Sequence, residues 1–249
     1  MTATVVRAAA CLALLLAVGG CVGEPPVSDP SGVDGLQIPT PSPDPDDFVE
    51  RVDNPWFPLE PGTVWTYEES QGDEAPSTVV VTVTDETRVV AGVRTTVVHD
   101  VVTDADGAVV EDTHDWFAQD RDGNVWYFGE QTTTYDDGAA DTSGSWEAGS
   151  DGAEAGLVMP ATPRLGDGFQ QEYLAGVAEG RATVLSLTEV RTVFAGAFTD
   201  LLETQDTTPL EPGVIVRAYY ARGVGLVYRE TVGGGEGHRE LLHVSRPEE

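Results

Sequence analysis

The sequence contains no lysine: all 13 basic residues are arginine, against 43 acidic residues, so the formal charge is 13 − 43 = −30. A nucleic-acid partner is excluded on that ground, because neutralising phosphates needs a basic face and no cluster of arginines supplies one. Cysteine is almost missing too, since Cys11 and Cys21 are the only two. Everything after Cys21 must therefore fold without a disulfide and rely on its core. The N-terminal apolar run, Ala8–Val18, has 11 residues, about half of what a spanning helix requires. Helical periodicity is also scarce. Apolar content of 40% and charged content of 22% are nevertheless those of a globular chain, which excludes wholesale disorder.

The N-terminus carries an address. Arg7, the apolar run, then Gly19 and Gly20 follow the order of a secretory signal. Val18-Gly19-Gly20-Cys21 resembles the lipobox of bacterial lipoproteins. The resemblance implies that the Cys21 thiol receives diacylglycerol, that the chain is cut before it, and that the freed amine is acylated, with palmitate as the label to follow. The expected organisation is a signal peptide over 1–20, a lipidated, disordered, Pro-rich stalk over 21–47, and a single domain over 48–249. The stalk holds seven of the 16 prolines and no aromatic residue between Val22 and Asp47. Such composition favours polyproline II at ~3.1 Å per residue, an expected reach of up to ~80 Å. Loss of Arg7 makes the mature balance 12 − 43 = −31, which an anionic leaflet repels. The protein is thus expected on the outer face of the cell membrane, tethered by lipid, as a monomer.

The body reads as all-β. Short β-branched and aromatic runs bounded by Gly, Asp and Pro predict strands over 63–69, 77–84, 93–103, 108–119, 124–130, 168–174, 181–190, 199–207, 214–221, 224–232 and 239–245. Asp104-Ala105-Asp106-Gly107, Asp122-Gly123-Asn124 and Gly223-Val224-Gly225 supply hairpin turns. The pentapeptide PLEPG occurs at Pro58–Gly62 and Pro209–Gly213, each before a predicted strand, with Pro-Gly at the centre of a type II turn. The only helical hint is Gly152–Val158. So many antiparallel strands at meander spacing curl or close, which predicts a barrel or curved half-barrel with at most one short helix.

Three patterns invite chemistry. Asp120, Asp122, Asn124 and Glu130 offer alternating oxygens to a hard cation such as Ca2+, but the glycine and the glutamate fall one or two places off EF-hand spacing, and Asp-Gly-Asn is also what a tight hairpin demands. Trp116, Trp126, Tyr127, Trp146 and Tyr173 would line a ligand site, with core packing as the alternative. Strand alternation requires only one of Trp116 and Phe117, and one of Trp126 and Tyr127, to face the core. The histidines at 99, 114, 238 and 243 show no zinc spacing, and His99-Asp100 and His114-Asp115, adjacent on strands, face opposite ways. Ala148-Gly149-Ser150-Asp151-Gly152 lacks the first glycine of a nucleophile elbow. No catalytic residue follows from the sequence.

The segments 115–130 (DWFAQDRDGNVWYFGE), 145–167 and 219–230 (YYARGVGLVYRE) resemble lipoproteins of high-GC Gram-positive bacteria from about Asn54 onward. That resemblance implies the address and the fold and brings no activity. The expectation is a non-enzymatic extracytoplasmic module that binds an apolar or amphipathic ligand or a cell-wall component. A structural or adhesive surface role and an acid-residue hydrolase are the alternatives. Replacing Cys21→Ser is expected to abolish palmitate labelling and release the protein from the membrane fraction; unchanged labelling would refute the assignment.

Overall fold

The computed structural model describes residues 33–72, 74–136 and 138–247; the signal segment and Cys21 lie outside them. Fifteen strands form one sheet: β1 (Phe48–Val49), β2 (Val64–Gln71), β3 (Ser77–Val90), β4 (Val93–Thr103), β5 (Val109–Asp120), β6 (Val125–Asp136), β7 (Ala139–Asp141), β8 (Trp146–Glu147), β9 (Gly156–Met159), β10 (Gly168–Gln170), β11 (Arg181–Val193), β12 (Gly196–Thr207), β13 (Ile215–Ala221), β14 (Gly225–Gly233) and β15 (Gly237–Ser245). The order is β10 through β15, then β2 through β7, with β1 added on β5 and β8 and β9 added on β6. Two antiparallel meanders are thereby joined where β15 pairs with β2, from Gly237↔Gln71 to Ser245↔Val64.

The sheet curves without closing. Its ends meet at a single bridge, where the Glu154 amide donates to the Tyr173 carbonyl at 2.8 Å. Gly156 sits at that approach: a Cβ there would lie 2.3 Å from the Gln171 carbonyl, so the position admits only glycine. Both Pro-Gly pairs make the expected turns, with Gly62 at φ 89° and Gly213 at φ 95°. All eleven predicted strands are present. The helical hint at 152–158 is a turn running into β9, because Gly156–Met159 pairs with β6; among the described residues the only helix is a 3-10 turn at Pro45–Asp47.

The expected stalk is also shortened. Val33, Leu36 and Ile38 pack against the core, Thr40 pairs with Ala155, and the Asp47 carbonyl accepts from the Arg121 amide at 2.8 Å. Prolines deny this segment a ladder of its own, but its scattered apolar side chains still find the body. Eleven residues lie between Cys21 and Val33, a span of at most ~43 Å.

Register and alternation divide the sheet into two faces. The inner face carries Trp65, Tyr67, Val79, Val83, Val98, Phe117 and Leu241, all buried. Near the β5–β6 turn both faces are covered, so Trp116 and Phe117, and likewise Trp126 and Tyr127, are all buried; Arg88 lies over Trp116, and Phe48 meets Phe128 edge-on at 5.4 Å. The one-sided burial expected from alternation fails there because side chains pack on both faces.

The β5–β6 turn answers the calcium reading. Asp120 Oδ1 accepts from the Asp122 and Asn124 amides, at 3.0 and 2.9 Å, and Oδ2 from Asn124 Nδ2 and Trp126 Nε1, at 2.8 and 2.9 Å. Asn124 Oδ1 accepts from the Ala161 amide. Glu130 pairs across to Asp115, about 20 Å of strand from Asn124. The four residues do not converge, and the two buried ones are occupied as a turn lock. Asp120→Ala strands buried donors and is expected to cost about 3 kcal/mol, a fall in Tm of roughly 6–12 °C by thermal denaturation. Exposed Asp122→Ala is expected to stay within about 0.5 kcal/mol, and Ca2+ to leave both melting curves unmoved; a Ca2+-dependent Tm that Asp122→Ala abolishes would restore the metal.

Candidate functional site

The inner face of the seam between the two meanders holds a cavity of ≈180 Å³. Phe57, Leu59, Trp65, Val81, Phe117 and Leu226 form its apolar wall, and Tyr67, Asp100, Asp115 and Arg239 its polar side. Strand pairing explains the grouping: Trp65↔Val81↔Asp100 runs across β2, β3 and β4, and Val98↔Asp115↔Glu130 across β4, β5 and β6. Trp65 Nε1 and Tyr67 Oη donate to the Val224 and Leu226 carbonyls, at 2.8 and 3.0 Å. These bonds fix both rings against the β13–β14 turn. Phe57 is brought in by Asn54, whose Nδ2 donates to the Gly123 and Pro160 carbonyls.

Carboxyls dominate the polar side. Arg239 pairs with Glu69 through Nε at 2.7 Å and reaches Asp100 Oδ2 at 3.6 Å, while Asp100 Oδ1 is buried without a hydrogen-bond partner. Burial, only partly offset by Arg239, pushes the Asp100 carboxyl up to about 6. Beside it, Tyr127 Oη lies 2.5 Å from Asp115 Oδ1 and 3.0 Å from Glu130 Oε2. One phenol has one proton to donate, so filling both contacts requires one of the two carboxyls to be protonated. Burial pushes Glu130 up to about 7, and burial together with the charge of Glu130 holds Asp115 well above the usual carboxylate range. Burial also raises Glu172 and Asp206, which share a neighbouring cleft with Arg229 and Leu226.

A β-bulge builds the Asp115–Tyr127–Glu130 group. Pairing steps from Asp115↔Glu130 to Phe117↔Tyr127, two residues on β5 against three on β6. The extra residue turns Tyr127 to the same face as Glu130. Gly129 permits it: φ is 130°, and a Cβ would meet the Trp146 carbonyl at 2.3 Å.

The five aromatic residues expected to bind a ligand fall elsewhere. None lines this cavity. Trp116 lies beneath Arg88, 4.1 Å from its guanidinium. Trp126 is spent on Asp120, and Tyr127 stacks behind Phe117 at 4.8 Å while meeting Trp146 edge-on. Tyr173 contributes its backbone to the closing bridge. Most lining residues come from other strands, and the two on β5, Asp115 and Phe117, flank Trp116 on the opposite face; only the twofold repeat of each strand, given the register, could have found them.

Because the inner carboxyls bind protons more tightly when folded, the folded state carries more protons than the unfolded one between about pH 4.5 and 7, and stability falls as pH rises through that window. Tm is expected to be highest near pH 4.5 and to decline toward pH 7.5. Glu130→Gln should flatten the decline, matching the parent at pH 4.5 and exceeding it at pH 7.5 by on the order of 2 kcal/mol. A parent Tm that climbs from pH 4.5 to 7.5 would contradict this account.

Among solved structures, the fold resembles a protein of Bacteroides fragilis described as exported and with a YmcC-like fold, over 77% of this chain and 99% of that one, at 16% identity and TM-score 0.46. It also resembles a protein of Parabacteroides distasonis described as a lipoprotein, with the same coverage, at 15% identity and TM-score 0.43. No family model and no curated protein matches the chain, so the resemblance of the body to lipoproteins of high-GC Gram-positive bacteria finds no counterpart here. The likeness to these two proteins is one of shape.

Proposed function

We propose that the protein is a lipid-anchored, extracytoplasmic, non-enzymatic binding module that holds the apolar end of a small amphipathic ligand, with a cationic or hydrogen-bond-donating group beside it. The observation that carries this reading is one cavity with an apolar wall on one side and the unpartnered Asp100 Oδ1 and raised Asp115 on the other. At ≈180 Å³ it is below the 300–1,000 Å³ usual for a drug-sized ligand, so it admits a ring or a chain end. The remainder of a ligand would follow the larger groove that shares Arg239 and is lined by Glu69, Asp104 and Glu111. Carboxyls on both clefts favour a positive group. The Cys21 resemblance supports the anchor, and the packed segment 33–47 holds the body within one short tether of the membrane.

The Asp115–Glu130 pair is also what a hydrolase would use, since its facing oxygens are at most 5.5 Å apart, the sum of the two hydroxyl contacts. Only Asp115 of the two lines the cavity, however, and both carboxyls are turned to Tyr127, which favours binding over catalysis.

The test is calorimetric titration with decyltrimethylammonium and with decanoate below their micellar ranges. Saturable one-to-one binding of the cation is expected, about tenfold tighter than of the anion. Val81→Phe, which fills the cavity, should abolish it, and Asp100→Asn should erase the preference for the cation. Absence of saturable binding, or binding indifferent to Val81→Phe, would overturn the reading.

A further inference from the structure

On the outer face, opposite the cavity, β4 and β5 bring together two histidines and a carboxylate that are distant in sequence. His99 and His114 are direct cross-strand partners; their rings stack 4.2 Å apart at 20°. Asp112, two residues before His114 on the same face, places Oδ1 3.2 Å from His99 Nε2 and 3.6 Å from His114 Nδ1. One ligating atom from each of the three lies within 4.8 Å of the others.

We infer that His99, Asp112 and His114 form a binding site for Zn2+ or a similar borderline divalent ion. Ligands at 2.0–2.1 Å from Zn2+ stand about 3.3–3.4 Å apart along the edges of a tetrahedron, and the two N···O separations bracket that length. The set is two imidazoles and one carboxylate, which suits zinc, copper or nickel and not calcium. Asp112 has no arginine partner among the described residues, and the outer-face residues paired with the three are Thr82, Val101, Gln131 and Thr133, none of which is a cation. A divalent ion would satisfy the carboxylate and both imidazoles at once. The residues stand on two regularly paired strands, which fixes their spacing before metal arrives. Side-chain exposures of 33, 38 and 40% leave the fourth position to water or to a partner's side chain.

The test uses the untagged protein extracted in mild detergent, stripped with chelator and titrated with Co2+ and then Zn2+. One equivalent of Co2+ should give a visible d–d band that Zn2+ displaces and excess Ca2+ does not. His99→Ala and His114→Ala should each weaken Zn2+ binding by about tenfold or more, while His238→Ala and His243→Ala leave it unchanged. The truncated rings are partly exposed, so far-UV circular dichroism should match the parent. A protein that shows no saturable band, a band that Ca2+ displaces, or affinity kept by both His99→Ala and His114→Ala would overturn the assignment.

Discussion

The pairing of the last strand with the first long one is the constraint from which the rest follows. Until β15 lies along β2, the chain is two meanders of six strands each, both with an open edge at the seam. Unpaired edges invite aggregation, and the contact that removes them is among the longest in the chain, joining residues about 170 apart, as in Arg239 with Glu69. Leu241, fully buried opposite Tyr67, supplies the apolar part of that seam. Arg239 supplies the polar part, and its charge sits where Glu69 and Asp100 converge. Topology and electrostatics therefore share one strip of the molecule, and the cavity lies along it.

The inner face departs from a plain β core in its titratable groups. Outer-face pairs such as Arg191 with Glu230 remain partly exposed and contribute little. The inner carboxyls are buried and outnumber the guanidiniums near them, so several are easier to protonate than to neutralise. Protonation turns a charge into a donor, and the Tyr127 hydroxyl then bridges two acids that would otherwise repel. A bulge at a single glycine makes that bridge possible, which is how strained backbone comes to serve a local arrangement of side chains.

Strand positions were legible because β-branched runs and Asp-Gly or Pro-Gly turns are local signals, and Val93–Thr103 was read to the residue. The site was not legible, for two physical reasons. Alternation sends Tyr127 and Glu130 to opposite faces, and only the extra residue at Gly129 reverses this. Register between strands is a long-range property, so His99 is compared with its neighbour Asp100 in sequence although its contact is Asp112, across the ladder. Aromatic density around Trp116 and Trp126 is a true signal of burial, here on both faces at once, and thus of packing. The predicted stalk runs too long because prolines report the absence of a ladder, not the absence of contacts for Leu36 and Ile38.

Burial of acids and the proposed recognition of a cation are linked by the same negative potential. A proton on Asp100 or Asp115 and a positive group in the cavity satisfy that potential alternatively, since either removes the cost of an uncompensated carboxylate. On the proposed reading, raised proton affinity and ligand affinity would be two expressions of one quantity, and a cationic ligand would have to displace the proton or find the site already ionised. Arg239 sets the balance: held by Glu69 on its own seam, it has only a long contact of 3.6 Å left for Asp100. Asp100 Oδ1 is consequently left buried without a hydrogen-bond partner. The residue that joins the two halves of the sheet also determines how much negative potential remains in the cavity they enclose.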